Sequence, residues 1–98
     1  MYNSAPDYKG FMQDFAIADM FGEKAVRDTY KRAKREWKKN PDYFASLIMT
    51  LNHRLWYHYE NGREGYARLY DELWRDADDA KYRYFKGDAL QGIIAFLD

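Results

Sequence analysis

The side chains of this sequence that could do chemistry are few and scattered. The two histidines, His53 and His58, are five residues apart. That separation places them roughly 140° apart around a helix, unlike the i,i+4 pair of a helical zinc site. Ser4 and Ser46 are the only serines, and neither lies in a nucleophile turn. We therefore predict no catalytic residue, no cofactor and no metal site, and we do not expect an enzyme.

The densest charge lies in residues 23–39, which hold eight basic residues against three acidic ones. Val26, Tyr30, Ala33 and Trp37 share one face of a helix, and most of the basic residues project from the other side. Such a face can neutralise a nucleic-acid backbone, dock on an acidic protein patch, or simply be a solvated helix surface. The predicted partner-binding residues are Lys31, Arg32, Lys34, Arg35, Lys38 and Lys39.

A later segment has the opposite charge. Residues 64–79 hold six acidic residues against two arginines. This surplus could complement the basic segment within one molecule or across a homodimer, or it could be solvated charge. Three pairs have the acid-before-base i,i+4 order that stabilises a helix, the last only if the helix continues past Ala80: Glu64–Arg68, Asp71–Arg75 and Asp79–Arg83.

The segment 40–80 predicts an antiparallel helical hairpin that must position both charged faces. Asn40-Pro41 is a helix start signal, and Asn61-Gly62 is a stop signal. Apolar residues on either side of that stop recur at helical spacing. The expected stripes are Phe44, Leu47, Ile48, Leu51, Leu55 and Tyr59 in the first helix, and Tyr66, Leu69, Tyr70, Leu73, Trp74, Ala77 and Ala80 in the second.

Other helices surround this hairpin. Residues 1–8 form a loose lead-in, and 11–21 form an apolar helix that we expect the other helices to enclose. A basic helix over 23–39 precedes the hairpin, and Gly87-Asp88 starts a terminal helix. The path of residues 81–86 stays open. We predict an all-α fold, a compact bundle of four to five helices built round the hairpin, as a single domain over 1–98. The predicted core includes Trp37, Leu51, Leu55, Leu73 and Trp74.

Composition narrows the class of protein. The chain has 98 residues, with 16 basic and 16 acidic side chains, which argues against a wholesale DNA mimic and a histone-like binder. An aromatic content of 19% is too high for a disordered chain. The absence of cysteine favours a reducing cytoplasm, and no apolar run approaches the length of a membrane span. We expect a cytoplasmic domain that does not bind membranes.

Four runs resemble small all-helical accessory proteins of conjugative elements and phages of Gram-positive bacteria: 14–19 (DFAIAD), 28–33 (DTYKRA), 51–56 (LNHRLW) and 69–74 (LYDELW). The resemblance covers about 11–87 and consists mainly of packing residues. Some proteins on such elements are anti-CRISPR inhibitors, which bind a Cas nuclease or its guide RNA. The resemblance therefore implies a protein that acts by binding a host effector, with an anti-CRISPR as one example. The alternative is a nucleic-acid-binding module that uses the basic helix.

Overall fold

Five α-helices form the described part of the chain in a computed structural model, which describes residues 8–37 and 40–97 and the side chains of 10–36 and 40–97. These residues contain no strand, and the predicted all-α bundle is confirmed. The side chain of Trp37, an expected core residue, is not among those described. Residues 1–7 of the expected lead-in also lie outside the described residues. The helices are α1 (Tyr8–Phe21), α2 (Glu23–Trp37), α3 (Pro41–Glu60), α4 (Glu64–Tyr84) and α5 (Gly87–Leu97).

The α3–α4 hairpin is the main structural unit, as the sequence predicts. The side chain of Asn40 accepts the backbone N–H of Asp42 at 2.9 Å and caps α3, with Pro41 in the first helical position. At the other end Gly62 adopts a φ of +72°, and the N–H of Arg63 donates to the carbonyl of His58 at 2.9 Å. The left-handed turn reverses the chain, so α3 and α4 form the most extensive helix interface of the structure.

Helix α3 is central, because it packs against α1, α2, α4 and α5. The T-shaped contact of Phe15 with Tyr70, 5.8 Å between ring centres, joins α1 to the hairpin. The ring of Phe85 packs on the ring of Phe44, with 5.0 Å between their centres, at the end of the hairpin away from its turn. Fully buried aliphatic and aromatic side chains fill the space between the helices, among them Val26, Phe44, Leu47, Ile48, Leu51, Leu69, Tyr70, Leu73, Ala77 and Ile93.

The buried face of α3 departs from the predicted stripe near its end. Leu51 is buried as expected, but Leu55 is only half-buried and Tyr59 is 64% exposed. Arg54 and His58 take the buried positions instead. The reason is electrostatic, since Asp19 on α1 faces this turn and its carboxylate binds polar side chains there. In α4, Leu73 is buried as predicted, whereas Trp74 is half-buried.

The expectation that the other helices enclose α1 is wrong. Phe15 and Ala18 are buried, but Ile17, Met20 and Phe21 are 55%, 82% and 79% exposed. Helix α1 packs on α2 and α3, so only one of its faces is covered. Gly22, with φ at +114°, then turns the chain directly into α2 and leaves the exposed end of α1 beside the turn.

The ends of α4 and α5 settle the segment that the sequence left open. Helix α4 continues to Tyr84, and Arg83 accordingly pairs with Asp79 at 3.0 Å. Gly87 has a φ of +59° and begins α5. At the other end, Tyr8, which the sequence analysis placed in the lead-in, belongs to α1. None of the described helices is long and apolar enough to cross a lipid bilayer.

Candidate functional site

The outer face of α2 carries three exposed cations, Lys31, Arg32 and Arg35, which we call the cationic ridge. None of the three forms an ion pair with a carboxylate of the described residues; Arg32 donates only to the hydroxyl of Thr29, at 3.3 Å. The helix turns them outward because Val26, Tyr30 and Ala33 occupy the buried stripe, as the sequence predicts. The predicted surface residues Lys38 and Lys39 lie outside the described residues.

Lys34 does not share this exposure, so the prediction of a uniformly exposed basic face is wrong there. Its ammonium lies 2.9 Å from the Asp76 carboxylate of α4, and its side chain is only 35% exposed. The Tyr30 hydroxyl donates to the same carboxylate at 2.5 Å. Arg27 makes a parallel contact, with Nη1 2.6 Å from Glu72. Two acids of α4 thus complement α2 within the molecule, which was one of the three interpretations that the sequence left open, beside a contact across a homodimer and solvated charge.

These contacts change the acidity of the α4 carboxyl groups. Burial alone would raise the pKa of Asp76, but the hydrogen bonds of Tyr30 and Lys34 outweigh it and hold that pKa below its usual value. The hydrogen bond from Arg27 likewise lowers the pKa of Glu72. Burial, with the bond to Asp76, raises the pKa of the Tyr30 hydroxyl. All of these groups therefore keep their charge states at neutral pH.

Most other charges near the ridge are neutralised locally. Lys24 pairs with Asp28 at 2.8 Å and Arg27 also reaches Glu23 at 2.9 Å. The hydrogen bond from Lys24 lowers the pKa of Asp28, and Arg32 forms no ion pair with it. On α4 the remaining pairs are Asp71–Arg75, Asp78–Lys81 and Asp79–Arg83, whereas the expected Glu64–Arg68 contact is not formed. The three cations of the ridge thus form no ion pair among the described residues, although the charges of Lys31 and Arg32 contribute to the lowered pKa of Asp28 and exposed Glu36 lies beside Arg32.

A buried polar cluster, the Asp19 network, lies where α1 meets the hairpin. The Asp19 carboxylate contacts Arg54, His58 Nε2 at 2.7 Å and the Tyr70 hydroxyl at 2.5 Å. The Tyr66 hydroxyl donates to the Asp19 carbonyl at 2.9 Å. The Asp19 side chain is 10% exposed; three side chains hold its carboxylate and a fourth holds its backbone carbonyl.

This cluster contains an Asp–His pair whose histidine is enclosed by aromatic rings. His58 is 1% exposed, and its ring stacks on those of Tyr66 and Tyr70, with centres 4.9 and 5.4 Å away. Nδ1 of His58 is buried without a hydrogen-bond partner in the described structure. Burial and the bond to Asp19 raise the pKa of Tyr70, so its hydroxyl stays protonated and donates. His58 is thus packed in the interior, and the network joins α1 to the hairpin.

Three exposed apolar side chains at the end of α1 form a patch that we call the apolar tip: Ile17, Met20 and Phe21. Their i, i+3, i+4 spacing places them side by side on one helix face. A furrow between α1 and α2 is lined by Ile17 and Phe21 on one side and by Ala25 and Arg32 on the other. Arg32 therefore makes the apolar tip continuous with the cationic ridge.

A second surface follows α3 on the far side of the molecule. Two adjoining grooves share Met49, Asn52 and Leu97 along their length. Trp56, which is 53% exposed, lines one, and half-buried Trp74 lines the other. Asn52 is half-buried beside these grooves. The α3 surface is aromatic, and the charged residues along its two grooves are of both signs.

Neither Asp19 nor the apolar tip stands out as a functional feature in the sequence pattern. The available signal for Asp19 was its position: with Asp14, it is one of two acids in an otherwise apolar helix. No known protein family matches the chain, and neither the curated proteins nor the solved structures contain a detectably similar protein.

Proposed function

We propose that this protein is a small accessory protein of a mobile genetic element that binds a host effector protein through the cationic ridge. The observation that carries the proposal is the charge state of α2. Arg27 and Lys34 are paired with α4, whereas Lys31, Arg32 and Arg35 are exposed without a carboxylate partner among the described residues. Unneutralised cations on a rigid helix attract an acidic surface and steer its approach.

The apolar side chains next to the cationic ridge favour a protein partner over a nucleic acid. The furrow lined by Arg32 also holds Ile17 and Phe21, whose side chains are largely exposed. Contiguous exposed apolar side chains are typical of protein interaction surfaces. A phosphate backbone would use the cations and gain little from these apolar groups.

The resemblance of the four sequence runs supports the mobile-element setting. Within that setting, the proposed role is inhibition of a Cas nuclease, or of its complex with guide RNA, by occlusion of a surface. No residue of a defined inhibitory motif supports this finer step. The mode of action that we propose is binding without catalysis, since the Asp–His pair is enclosed by aromatic rings.

The experiment that tests the proposal is charge reversal of the ridge. The variant Lys31→Glu, Arg32→Glu, Arg35→Glu should keep its helical signal and melting temperature, because exposed substitutions cost within about 0.5 kcal/mol each. It should lose activity in a plasmid-interference assay against a panel of Cas nucleases. The matched control reverses three exposed cations elsewhere that also form no ion pair among the described residues: Arg63, Arg68 and Lys86. Equal activity of both variants would contradict a role for the ridge, and a wild-type chain inactive against every nuclease would contradict the anti-CRISPR step.

The nucleic-acid alternative is decided by a salt series. Fluorescence anisotropy with short DNA and RNA duplexes should show no binding at physiological salt. Tight binding whose affinity falls steeply with salt concentration would favour the nucleic-acid alternative, because counterion release drives such complexes.

A further inference from the structure

We propose that the α3 surface is a dimer interface, which a second copy of this chain covers in antiparallel orientation. Its exposed aromatic side chains are Trp56, Tyr57 and Tyr82, with exposed fractions of 53%, 40% and 58%. They line the two adjoining grooves that α3 shares with α4 and α5. The proposal does not depend on the proposed function, because the cationic ridge lies on α2 and lines neither groove.

The face of α3 that carries this surface has a regular period. Asp42, Met49 and Trp56 are seven residues apart, which is about two helical turns, so they lie on one face of the helix. Arg63 follows at the same interval, just after the end of α3. Its guanidinium carbon is 5.8 Å from the ring centre of Tyr57, which lines the first groove. An acid therefore lies at one end of this face and a cation at the other.

These positions make the surface complementary to itself. Asp42 and Arg63 are equally far in sequence from the bond that follows Asn52, and so are Met49 and Trp56. A two-fold axis at that point places Asp42 of one copy opposite Arg63 of the other, and Met49 opposite Trp56. Asp42 and Arg63 are both exposed, and neither forms an ion pair with another described residue. One antiparallel register thus pairs opposite charges and also brings apolar side chains together.

The other charges near the surface fit the same register. Asp78 and Lys81 of the second groove pair with each other. Glu60 is exposed near the hairpin turn, whereas Lys86 is exposed at the other end of the hairpin, so an antiparallel partner brings the two toward each other. Glu64 lies in the first turn of α4, where the helix dipole favours an acid. A partner with charge of one sign would match only some of these groups, whereas a second copy has both signs at the required ends.

The surface is large enough for a dimer. A stable interface buries roughly 1,200 Å² or more, about 600 Å² per copy. An aromatic side chain can bury about 150–250 Å², so the exposed parts of Trp56, Tyr57 and Tyr82 supply on the order of 300 Å². The other groove residues and the charged residues at both ends supply the rest. Trp56 of each copy faces the second groove of the other, about 280 Å³ in volume and lined by Met49 and Trp74. An aromatic side chain held in a partner's pocket is typical of an interface hot spot.

Sedimentation equilibrium over a range of protein concentrations tests the proposal. The wild-type chain should reach twice its monomer mass at high concentration. Trp56→Ala should raise the dissociation constant of the dimer at least tenfold, as expected for a buried aromatic anchor. Phe21→Ala is the matched control, because Phe21 is an exposed aromatic side chain outside the α3 surface, and it should leave the constant unchanged. A wild-type chain that stays monomeric at millimolar concentration, or equal dissociation constants for the two variants, would overturn the proposal.

Charge exchange tests the register. Asp42→Arg and Arg63→Asp should each weaken the dimer about tenfold, because each substitution places like charges opposite each other. The double variant Asp42→Arg, Arg63→Asp should restore the wild-type dissociation constant, which a loss of stability could not do. A double variant that dissociates as readily as the single ones would overturn the antiparallel pairing.

The same assay separates this interface from the cationic ridge. The variant with the reversed ridge should stay dimeric, whereas its control, which reverses Arg63 and Lys86, should dissociate. The opposite result would overturn the interface and would leave the proposed function to its own interference assay.

Discussion

The carboxylate of Asp19 accepts from Arg54, His58 and Tyr70, three side chains that lie on two other helices. Burial of a charge is unfavourable unless it is paired and hydrogen-bonded, and here both conditions hold. The network replaces apolar packing at the end of α3, which is why Leu55 and Tyr59 are displaced from the core. The orientation of α1 on the hairpin thus depends on one acidic residue.

Asp19→Asn should therefore destabilise the fold strongly. An amide cannot neutralise Arg54, and removal of one partner from a buried ion pair costs about 3–5 kcal/mol. The measurement is urea denaturation monitored by circular dichroism. Asp14→Asn, on the exposed side of the same helix, is the control and should change the midpoint little. Similar midpoints for the two variants would show that the network does not hold α1.

Two leucines of α3 should differ in their contribution to stability. Leu51 is fully buried, so Leu51→Ala should cost about 2–5 kcal/mol. Leu55 is half-buried, and solvent can fill the space that its truncation leaves, so Leu55→Ala should cost roughly 1–2 kcal/mol. The same denaturation assay compares them. A larger loss for Leu55 would mean that α3 is rotated relative to the described packing.

At the scale of helices, the sequence predicts most of the architecture because its signals are local. Asn40-Pro41 and Gly62 mark both ends of α3, and the apolar period of α4 is regular. The errors concern long-range contacts. Local periodicity cannot indicate that Asp19 draws Arg54 and His58 inward, or that Asp76 holds Lys34. The basic face of α2 is predicted only in part for the same reason. Lys31, Arg32 and Arg35 are exposed as predicted, whereas the exposure of Lys34 depends on Asp76, a residue on another helix.

The two ion pairs between α2 and α4 should make stability sensitive to acid. Asp76 and Glu72 have lowered pKa values in the fold, so they stabilise it above about pH 4, and this contribution is lost as pH falls through those values. The variant Glu72→Gln, Asp76→Asn should melt lower at neutral pH and lose less on acidification. Thermal melts between about pH 6 and pH 2 measure this.

The control for the acid series is Glu60→Gln, Glu64→Gln, which removes two exposed carboxylates outside the α2–α4 contact. Its acid sensitivity should match that of the wild-type chain. If the two variants respond alike, the ion pairs between α2 and α4 do not account for the acid sensitivity.

At the scale of the whole molecule, the net charge is zero but the charged side chains are unevenly distributed over the surface. The described residues form a body of 38 × 24 × 22 Å with a radius of gyration of 12.8 Å, which is usual for a domain of this length. Its acidic helix is largely neutralised by internal pairs, whereas part of its basic helix is not. The described side chains that form no ion pair are nevertheless balanced. The cations are Lys31, Arg32, Arg35, Arg63, Arg68 and Lys86, and the acids are Asp14, Glu36, Asp42, Glu60, Glu64 and Asp88. The surface therefore differs from place to place in charge, although the chain is balanced at 16 against 16.

Folding of the whole chain should be fast. The helices that are adjacent in sequence, α1 with α2 and α3 with α4, are also the most closely packed. Helical proteins dominated by such local contacts fold in microseconds to milliseconds. Stopped-flow or temperature-jump fluorescence of the tryptophans should show a single phase on that timescale. A dominant phase lasting seconds would contradict this expectation.

The outward positions of α2 have a consequence for how the protein can change over evolution. Val26, Tyr30 and Ala33 attach the helix to the core, whereas Lys31 and Arg35 take no part in packing. Substitution at those outward positions leaves the free energy of unfolding nearly unchanged. A lineage with this fold could therefore exchange its surface charges as its partner changed, with the three inward residues held constant. The scaffold and the recognition surface would then diverge at different rates within one helix.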